Sequence, residues 1–153
     1  MVLDELPYID EHSIVIVAPA EVVWDVALEM FGKSFSRTGA RSFARLVGCD
    51  PAELSEWDRP GVGSSIPGFQ IVQADAPHLL VLAGRHRFSR YGIVLRIEPV
   101  NGRTTCRFES RAAFPGLHGR LYRFAVVGTH GHVVAVRRLL SAIRRTAELR
   151  ARS

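Results

Sequence analysis

The stretch 84–91, Gly-Arg-His-Arg-Phe-Ser-Arg-Tyr, holds the residues best suited to chemistry. If Leu82 faces the interior, the two-residue period of a β-strand turns His86 and Phe88 inward as well. An imidazole in an apolar interior can orient a ligand or exchange a proton near neutral pH. A buried histidine can equally be a structural residue, bonded to a backbone carbonyl or to Ser110. Both interpretations of His86 stay open at this point.

The other reactive residue types form no familiar catalytic or metal-binding pattern. His130 and His132 are two residues apart, so they diverge on a helix and cannot share a metal ion there. Cys106 is expected inside the sheet, where a thiol usually packs as an apolar group, and no Gly-x-Ser-x-Gly motif is present. The sequence therefore predicts neither a metal site nor a cofactor. The candidates for proton transfer are His86, Tyr91 and Ser110.

Positive charge is concentrated at the C-terminal end of the chain. The net charge is +5, but residues 117–153 contain eight arginines and a single acidic residue. The solvated face of a helix explains this excess. The alternative is contact with an anionic surface or partner through Arg137, Arg138, Arg144 and Arg145. Neither lysines nor aromatic residues interleave with these arginines, which argues against nucleic acid as a partner.

Composition also limits the class of protein. Of the 153 residues 47% are hydrophobic, yet no apolar run approaches the roughly 20 residues that a membrane span needs. The N-terminal segment is acidic, unlike a signal peptide, and the two cysteines are too few for a disulfide framework. With no repeat or linker, we expect a single domain over residues 1–153 and a cytoplasmic location. The sequence does not indicate an oligomeric state.

The spacing of apolar side chains predicts the elements that position these residues. A β-branched run predicts a strand over 12–17, and a 3.6-residue period predicts a helix over 19–31 that Gly32 ends. The segment 33–65 stays unassigned. An antiparallel meander is then predicted over 66–74, 79–88, 91–100 and 103–114. A second helical period covers 117–149, with a break expected near Gly128 and Gly131.

The first strand and helix also carry a family resemblance. Residues 13–26, Ser-Ile-Val-Ile-Val-Ala-Pro-Ala-Glu-Val-Val-Trp-Asp-Val, resemble the opening of the START-like superfamily, also called SRPBCC, which includes polyketide cyclases and lipid-transfer domains. The resemblance implies an α+β helix-grip fold with a deep apolar cavity. In that fold a curved antiparallel sheet of about six to seven strands surrounds a long C-terminal α-helix, with a short helical region after the first strand. The superfamily shares no catalytic motif, so the resemblance identifies no catalytic residue.

The resemblance and the alternating strands together predict the binding of a hydrophobic small molecule, such as a lipid or a polyketide-like compound, for storage, transport or sensing. The residues predicted to line the cavity are Leu80, Leu82, His86, Phe88, Tyr91, Ile93, Leu95, Phe108, Ser110, Leu121, Phe124 and His132. One alternative is a cyclase or dehydratase that acts on such a ligand in the same cavity. A second alternative is an interaction module that uses the basic helix.

Overall fold

The computed structural model describes residues 2–35, 46, 48, 50, 57, 60–87, 89–124 and 130–153. Within these residues a short 3-10 helix, Val2–Glu5, precedes strand β1, Tyr8–Ile16, and helix α1, Ala20–Phe35. The next strands are β2, Ser65–Ile66, β3, Phe69–Asp75, β4, Leu79–His86, β5, Ser89–Val100, and β6, Arg103–Ala113. Two helices follow, α2, Gly116–Arg123, and α3, Gly131–Ala151.

The strands form one antiparallel sheet in the order β1-β6-β5-β4-β3-β2. Asn101 and Gly102 join β5 to β6 with φ angles of 51° and 78°, as the Asn-Gly signal predicts. The meander and the α+β class are therefore confirmed. β1 begins at Tyr8, four residues before the predicted strand, because its polar start pairs with Ser110 and Arg111 of β6.

Helix α1 continues past Gly32, where the sequence predicts its end. A Cβ atom at Gly32 would lie 2.7 Å from the indole of Trp57. That indole Nε1–H donates a hydrogen bond to the carbonyl of Leu28 at 2.9 Å. Gly32 therefore permits the close approach of Trp57 to the helix, and the extra turn brings Phe35 into the fold.

Helices α1 and α3 lie on one face of the sheet, which we call the inner face. α3 packs against α1 and runs alongside β1 in the same direction. At one end His132 approaches Asp10, and at the other Glu148 Oε1 accepts a hydrogen bond of 3.1 Å from the Val17 N–H. On the opposite, outer face, Leu3 and Leu6 cover the central strands.

Helix α3 turns one apolar stripe inward and its arginines outward. The buried stripe consists of Val136, Leu140, Ile143 and Ala147, and the exposed basic residues are Arg137, Arg138, Arg144 and Arg145. The helical period predicted over 117–149 places Ala135 and Leu139 on one stripe with Ile143 and Ala147, but Ala135 is exposed and Leu139 only half-buried. Helix α3 starts at Gly131 after a left-handed His130, and its buried stripe runs through Val136 and Leu140 instead.

Candidate ligand-binding site

A series of rings in mutual contact crosses the inner face, which we call the aromatic row. Its members in order are Phe108, Phe31, Phe35, Phe69, Tyr91 and His86. Successive ring centroids are 6.2, 6.1, 5.1, 5.0 and 5.4 Å apart. These separations lie within the range in which aromatic rings attract each other beyond simple burial. Residues from one helix and four strands thus form a single aromatic surface.

The aromatic row runs from the core to the surface. Phe31 is 0% exposed and Phe108 is 3% exposed, so the inner end of the row is fully packed. The rings of Phe35, Phe69 and Tyr91 are half-buried, as is His86 at the outer end. A contiguous set of half-buried rings presents apolar surface that a flat or apolar ligand can cover.

His86 lies at the outer end of the row, beside the β4–β5 turn. Its Nε2 is 3.0 Å from the hydroxyl oxygen of Ser89, a buried residue directly across the hairpin. Burial lowers the pKa of His86 below its ordinary value. The imidazole is therefore neutral at physiological pH and presents one donor and one acceptor nitrogen. Sequence reasoning expected a backbone carbonyl or Ser110 as its partner and missed Ser89.

Tyr91 is fixed in the row by a hydrogen bond at its far end. Its hydroxyl donates to the carbonyl of Gly68 at 2.6 Å. A Cβ atom at Gly84 would collide with that same carbonyl and come within 2.9 Å of the Tyr91 ring. Gly84 therefore lets the chain before β3 approach β4 closely enough to hold Tyr91. No pattern in the sequence indicated this role of Gly84.

A polar group lies beside the row on the same face, where β1 meets the start of α3. Asp10 contacts two imidazoles, with Oδ2 3.2 Å from His12 Nε2 and Oδ1 3.3 Å from His132 Nε2. Ser110, paired with Asp10 across the ladder, is 6% exposed. Its hydroxyl has no hydrogen-bond partner among the described residues.

The structure separates the residues predicted to line a cavity into three groups. On the inner face, buried or half-buried, lie Leu80, Leu82, His86, Tyr91, Ile93, Leu95, Phe108, Ser110 and His132. Phe88 falls outside the described residues. Leu121 and Phe124 are 63% and 73% exposed, which corrects their predicted place in a cavity. Helix α3 begins at Gly131 after a left-handed His130, so its apolar stripe is not a direct continuation of α2.

Two concavities lined by described residues lie away from α3. One, of about 300 Å³, is bordered by Leu3, Leu6 and Val72 on the outer face and also by Gly84 and Tyr91. Another, of about 310 Å³, lies around His78 and Pro99. Neither is lined by a residue of α3. The candidate site on the inner face is the aromatic row together with the polar groups beside it.

The remaining reactive residues serve packing or ion pairing. Burial raises the pKa of the Cys106 thiol to about 12, so this sulfur is not a nucleophile at neutral pH. On the outer face the buried carboxylate of Glu109 is bonded to Arg111 and, at 2.7 Å, to Arg96. Among the described residues no cluster of three potential metal ligands occurs, and no helix is long and apolar enough to span a membrane.

Comparison with solved structures identifies the fold. A protein from Chromobacterium violaceum superposes with a TM-score of 0.60 at 13% identity, over 93% of this chain and 99% of that one. A polyketide-cyclase-like protein from Corynebacterium glutamicum gives 0.52 at 17% identity, over 92% and 91% of the two chains. A norcoclaurine synthase point mutant from Thalictrum flavum, in complex with a transition-state analogue, gives 0.56 at 14% identity, over 97% and 99%.

Sequence identities of 13–17% to these structures establish a shared fold but not a shared function. No protein-family model and no curated protein sequence matches the chain. The fold that the resemblance implied is confirmed, because these alignments cover 91% or more of each chain.

Proposed function

We propose that this protein binds a hydrophobic small molecule, such as a lipid or a polyketide-like compound, against the aromatic row. Storage, transport or sensing of that compound would be its role. The observation that carries the proposal is the exposure of the row, which is fully packed at Phe31 and half-buried from Phe35 to His86. Half-buried rings leave apolar surface exposed to water, and covering that surface with an apolar ligand is favourable by about 25 cal/mol per Å².

The polar groups around the row suit a ligand site of this kind. Such sites are mostly apolar, with a few hydrogen-bonding groups that fix orientation. Here the neutral imidazole of His86 stands at the outer end and the hydroxyl of Ser110 beside the middle. The likeness to a norcoclaurine synthase solved with a transition-state analogue adds support, because a small molecule is bound by a protein of this fold.

Native mass spectrometry of freshly purified protein, followed by organic extraction, tests the proposal. We expect a retained apolar compound in the wild-type protein and in the control variant Tyr8→Ala, whose ring is exposed and lies outside the row. Phe69→Ala removes a ring from the middle of the row and should reduce the retained fraction about tenfold or more. The proposal is wrong if no compound is retained and 2-naphthol, added as a probe, does not bind.

A second candidate is catalysis of proton transfer on the same ligand, as in a cyclase or dehydratase. It is favoured by the neutral His86, whose ring centroid lies 5.4 Å from that of Tyr91 and whose Nε2 is hydrogen-bonded to the hydroxyl of Ser89. A neutral imidazole beside an apolar surface is suited to act as a general base. Under this hypothesis His86→Gln abolishes turnover of the extracted compound and leaves its binding unchanged. Equal turnover by the variant would remove the hypothesis.

A further inference from the structure

The concavity of about 300 Å³ on the outer face combines an apolar wall with a charged edge. The apolar side chains that border it are those of Leu3, Leu6, Val72 and Ala83. The charged side chains that border it, within the described ranges, are those of Asp50, Arg85 and Arg90. Sites for small molecules are mostly apolar with a few polar groups, and this volume lies at the lower end of their range. The concavity therefore has the composition of a site for a small ligand with an apolar and a charged part.

The N-terminal segment holds the apolar wall in place. The side chain of Leu3 lies against Gly92, where a Cβ atom would collide with it. The carbonyl of Leu6 accepts a hydrogen bond of 3.1 Å from Arg111, and both leucines are buried. Ala83, the partner of Gly92 on β4, adds only a methyl group to the same wall. A fixed wall that includes such a small side chain leaves space for a ligand.

Arginines on the outer face differ in whether a carboxylate neutralises them. Arg85 Nη2 lies 3.0 Å from Asp50 Oδ2, and the Arg96 guanidinium lies 2.7 Å from the carboxylate of Glu109. Arg90 forms no ion pair with any carboxylate among the described residues. Since Arg90 is exposed, a dissolved anion can reach its guanidinium.

The position of Arg90 also favours an anion. It pairs with Arg85 directly across the β4–β5 hairpin, and like charges in that arrangement repel each other. Asp50 compensates one of the two charges, so the described border of the concavity keeps one net positive charge. A single guanidinium matches a carboxylate, which it can bind through two parallel hydrogen bonds. A bound carboxylate would therefore complete the charge balance at this edge.

An exposed arginine alone does not make a site, as Arg103 shows. It lies on the same outer face at the start of β6, is exposed, and likewise has no ion-pair partner among the carboxylates that the structure describes. Arg103 borders neither concavity. Arg90 differs because an apolar concavity adjoins it, so one ligand can cover the wall and pair with the guanidinium at once.

We infer that the outer concavity binds a small organic acid, with its apolar body against Leu6 and Ala83 and its carboxylate paired with Arg90. This site goes beyond the proposed function, because the side chains that would hold the acid lie on the outer face, whereas the aromatic row crosses the inner face. Among the described residues the two sites share Tyr91 alone. An uncharged compound of the same shape would cover the wall and leave Arg90 unpaired.

The test compares phenylacetate with its uncharged analogue phenylacetamide by NMR titration of the wild type and Arg90→Gln. We expect the wild type to bind phenylacetate about fivefold more tightly, which is the effect of one partly exposed ion pair. Arg90→Gln should abolish this preference, and Arg90→Lys, which keeps the charge, should retain part of it. High salt should reduce the preference, because ions screen exposed charges. Equal affinity of the wild type for both compounds overturns the inference, as does a preference that survives in Arg90→Gln.

Three further variants locate the bound acid. Arg103→Gln is the matched control, since it removes an exposed arginine from the same face and should leave the preference unchanged. Ala83→Leu fills the concavity and should weaken the binding of both compounds, whereas Phe69→Ala, in the aromatic row, should affect neither. If Arg103→Gln lowers the preference as much as Arg90→Gln does, or if Ala83→Leu leaves phenylacetate binding unchanged, the anion binds outside the concavity and the inference is wrong. Loss of phenylacetate binding in Phe69→Ala would place the acid on the aromatic row, which overturns the inference and leaves the proposed function standing.

Discussion

The two ends of the inner face are built from the same strands and differ in almost every physical property. One end, which we call the packed end, comprises Ile16, Leu80, Leu95, Ile97, Thr104 and Cys106, each 0–1% exposed. The other, the polar end, comprises Asp10, His12, His86, Tyr91, Ser110 and His132, most of them half-buried. Strand alternation places both sets on one face, so alternation alone does not separate a core from a site.

The difference follows from what lies over each end. At the packed end α1 and the C-terminal half of α3 contribute Val23, Ile143 and Ala147 to one buried cluster with the strands. At the polar end the covering residues are the first turn of α3, through His132, and the last turn of α1, through Phe35. The terminal turns of a helix bring fewer side chains to the sheet than its middle turns do. The described helices therefore cover the polar end with fewer side chains than the packed end.

The largest expected effect is at the packed end. Leu95 is 0% exposed and lies in the middle of the buried cluster, so Leu95→Ala should lower the free energy of unfolding by about 2–5 kcal/mol. The half-buried Phe69 at the other end should lose clearly less on truncation to Ala, because part of its surface is already exposed to water. Urea denaturation of the two variants measures both. Equal losses would show that the two ends are one continuous core.

A smaller effect is expected at Gly84 of β4, which pairs with Tyr91 of β5 at the polar end. Gly84→Ala places a methyl group against the Gly68 carbonyl and the Tyr91 ring, and overpacking of this kind costs about 1–3 kcal/mol. The displaced Tyr91 should also weaken 2-naphthol binding. Gly61→Ala is the control, since no atom lies within 4 Å of a Cβ there. Unchanged stability and binding in Gly84→Ala would mean that Gly68 and Tyr91 move freely.

The packed end could be predicted from the sequence because its signals are local. Alternation placed Leu80, Leu95 and Ile97 on one face, and the Asn-Gly turn fixed the β5–β6 pairing. The same rule correctly put Tyr91 and Ser110 on that face. The start of β1 was missed because residues 8–11, Tyr-Ile-Asp-Glu, carry no apolar period and become a strand only through pairing with β6.

The contribution of helix α1 to the aromatic row could not be predicted in the same way, because its contacts with the strands span long distances in sequence. Phe31 and Phe35 reach the row from a helix more than thirty residues before Phe69, and nothing in the strand pattern indicates them. Their spacing of four residues on one helix face was the available signal. Because Gly32 was predicted to end the helix, Phe35 fell outside it and this spacing was not recognised.

The smallest expected effect is a pH dependence confined to the polar end. Burial lowers the pKa of His86 below its ordinary value of 6.5, so the folded protein favours the neutral imidazole more than the unfolded chain does. The stability contributed by this difference is complete above about pH 6.5 and is lost as the pH falls through that value toward the lowered pKa. Glu109, whose pKa is lowered from 4.5, acts in a separate and more acidic window: burial opposes the shift, and the bonds from Arg96 and Arg111 outweigh it.

Urea denaturation of wild type and His86→Gln at pH 8 and pH 5.5 isolates the imidazole. Glutamine can keep a hydrogen bond to Ser89 but does not titrate, so the variant should lose less stability than the wild type between the two pH values. Both pH values lie above the window of Glu109, whose contribution cancels in the comparison. An identical loss in both proteins would mean that His86 is as well hydrated in the fold as in the unfolded chain. The outer end of the aromatic row would then be open to water and unsuited to hold an apolar ligand.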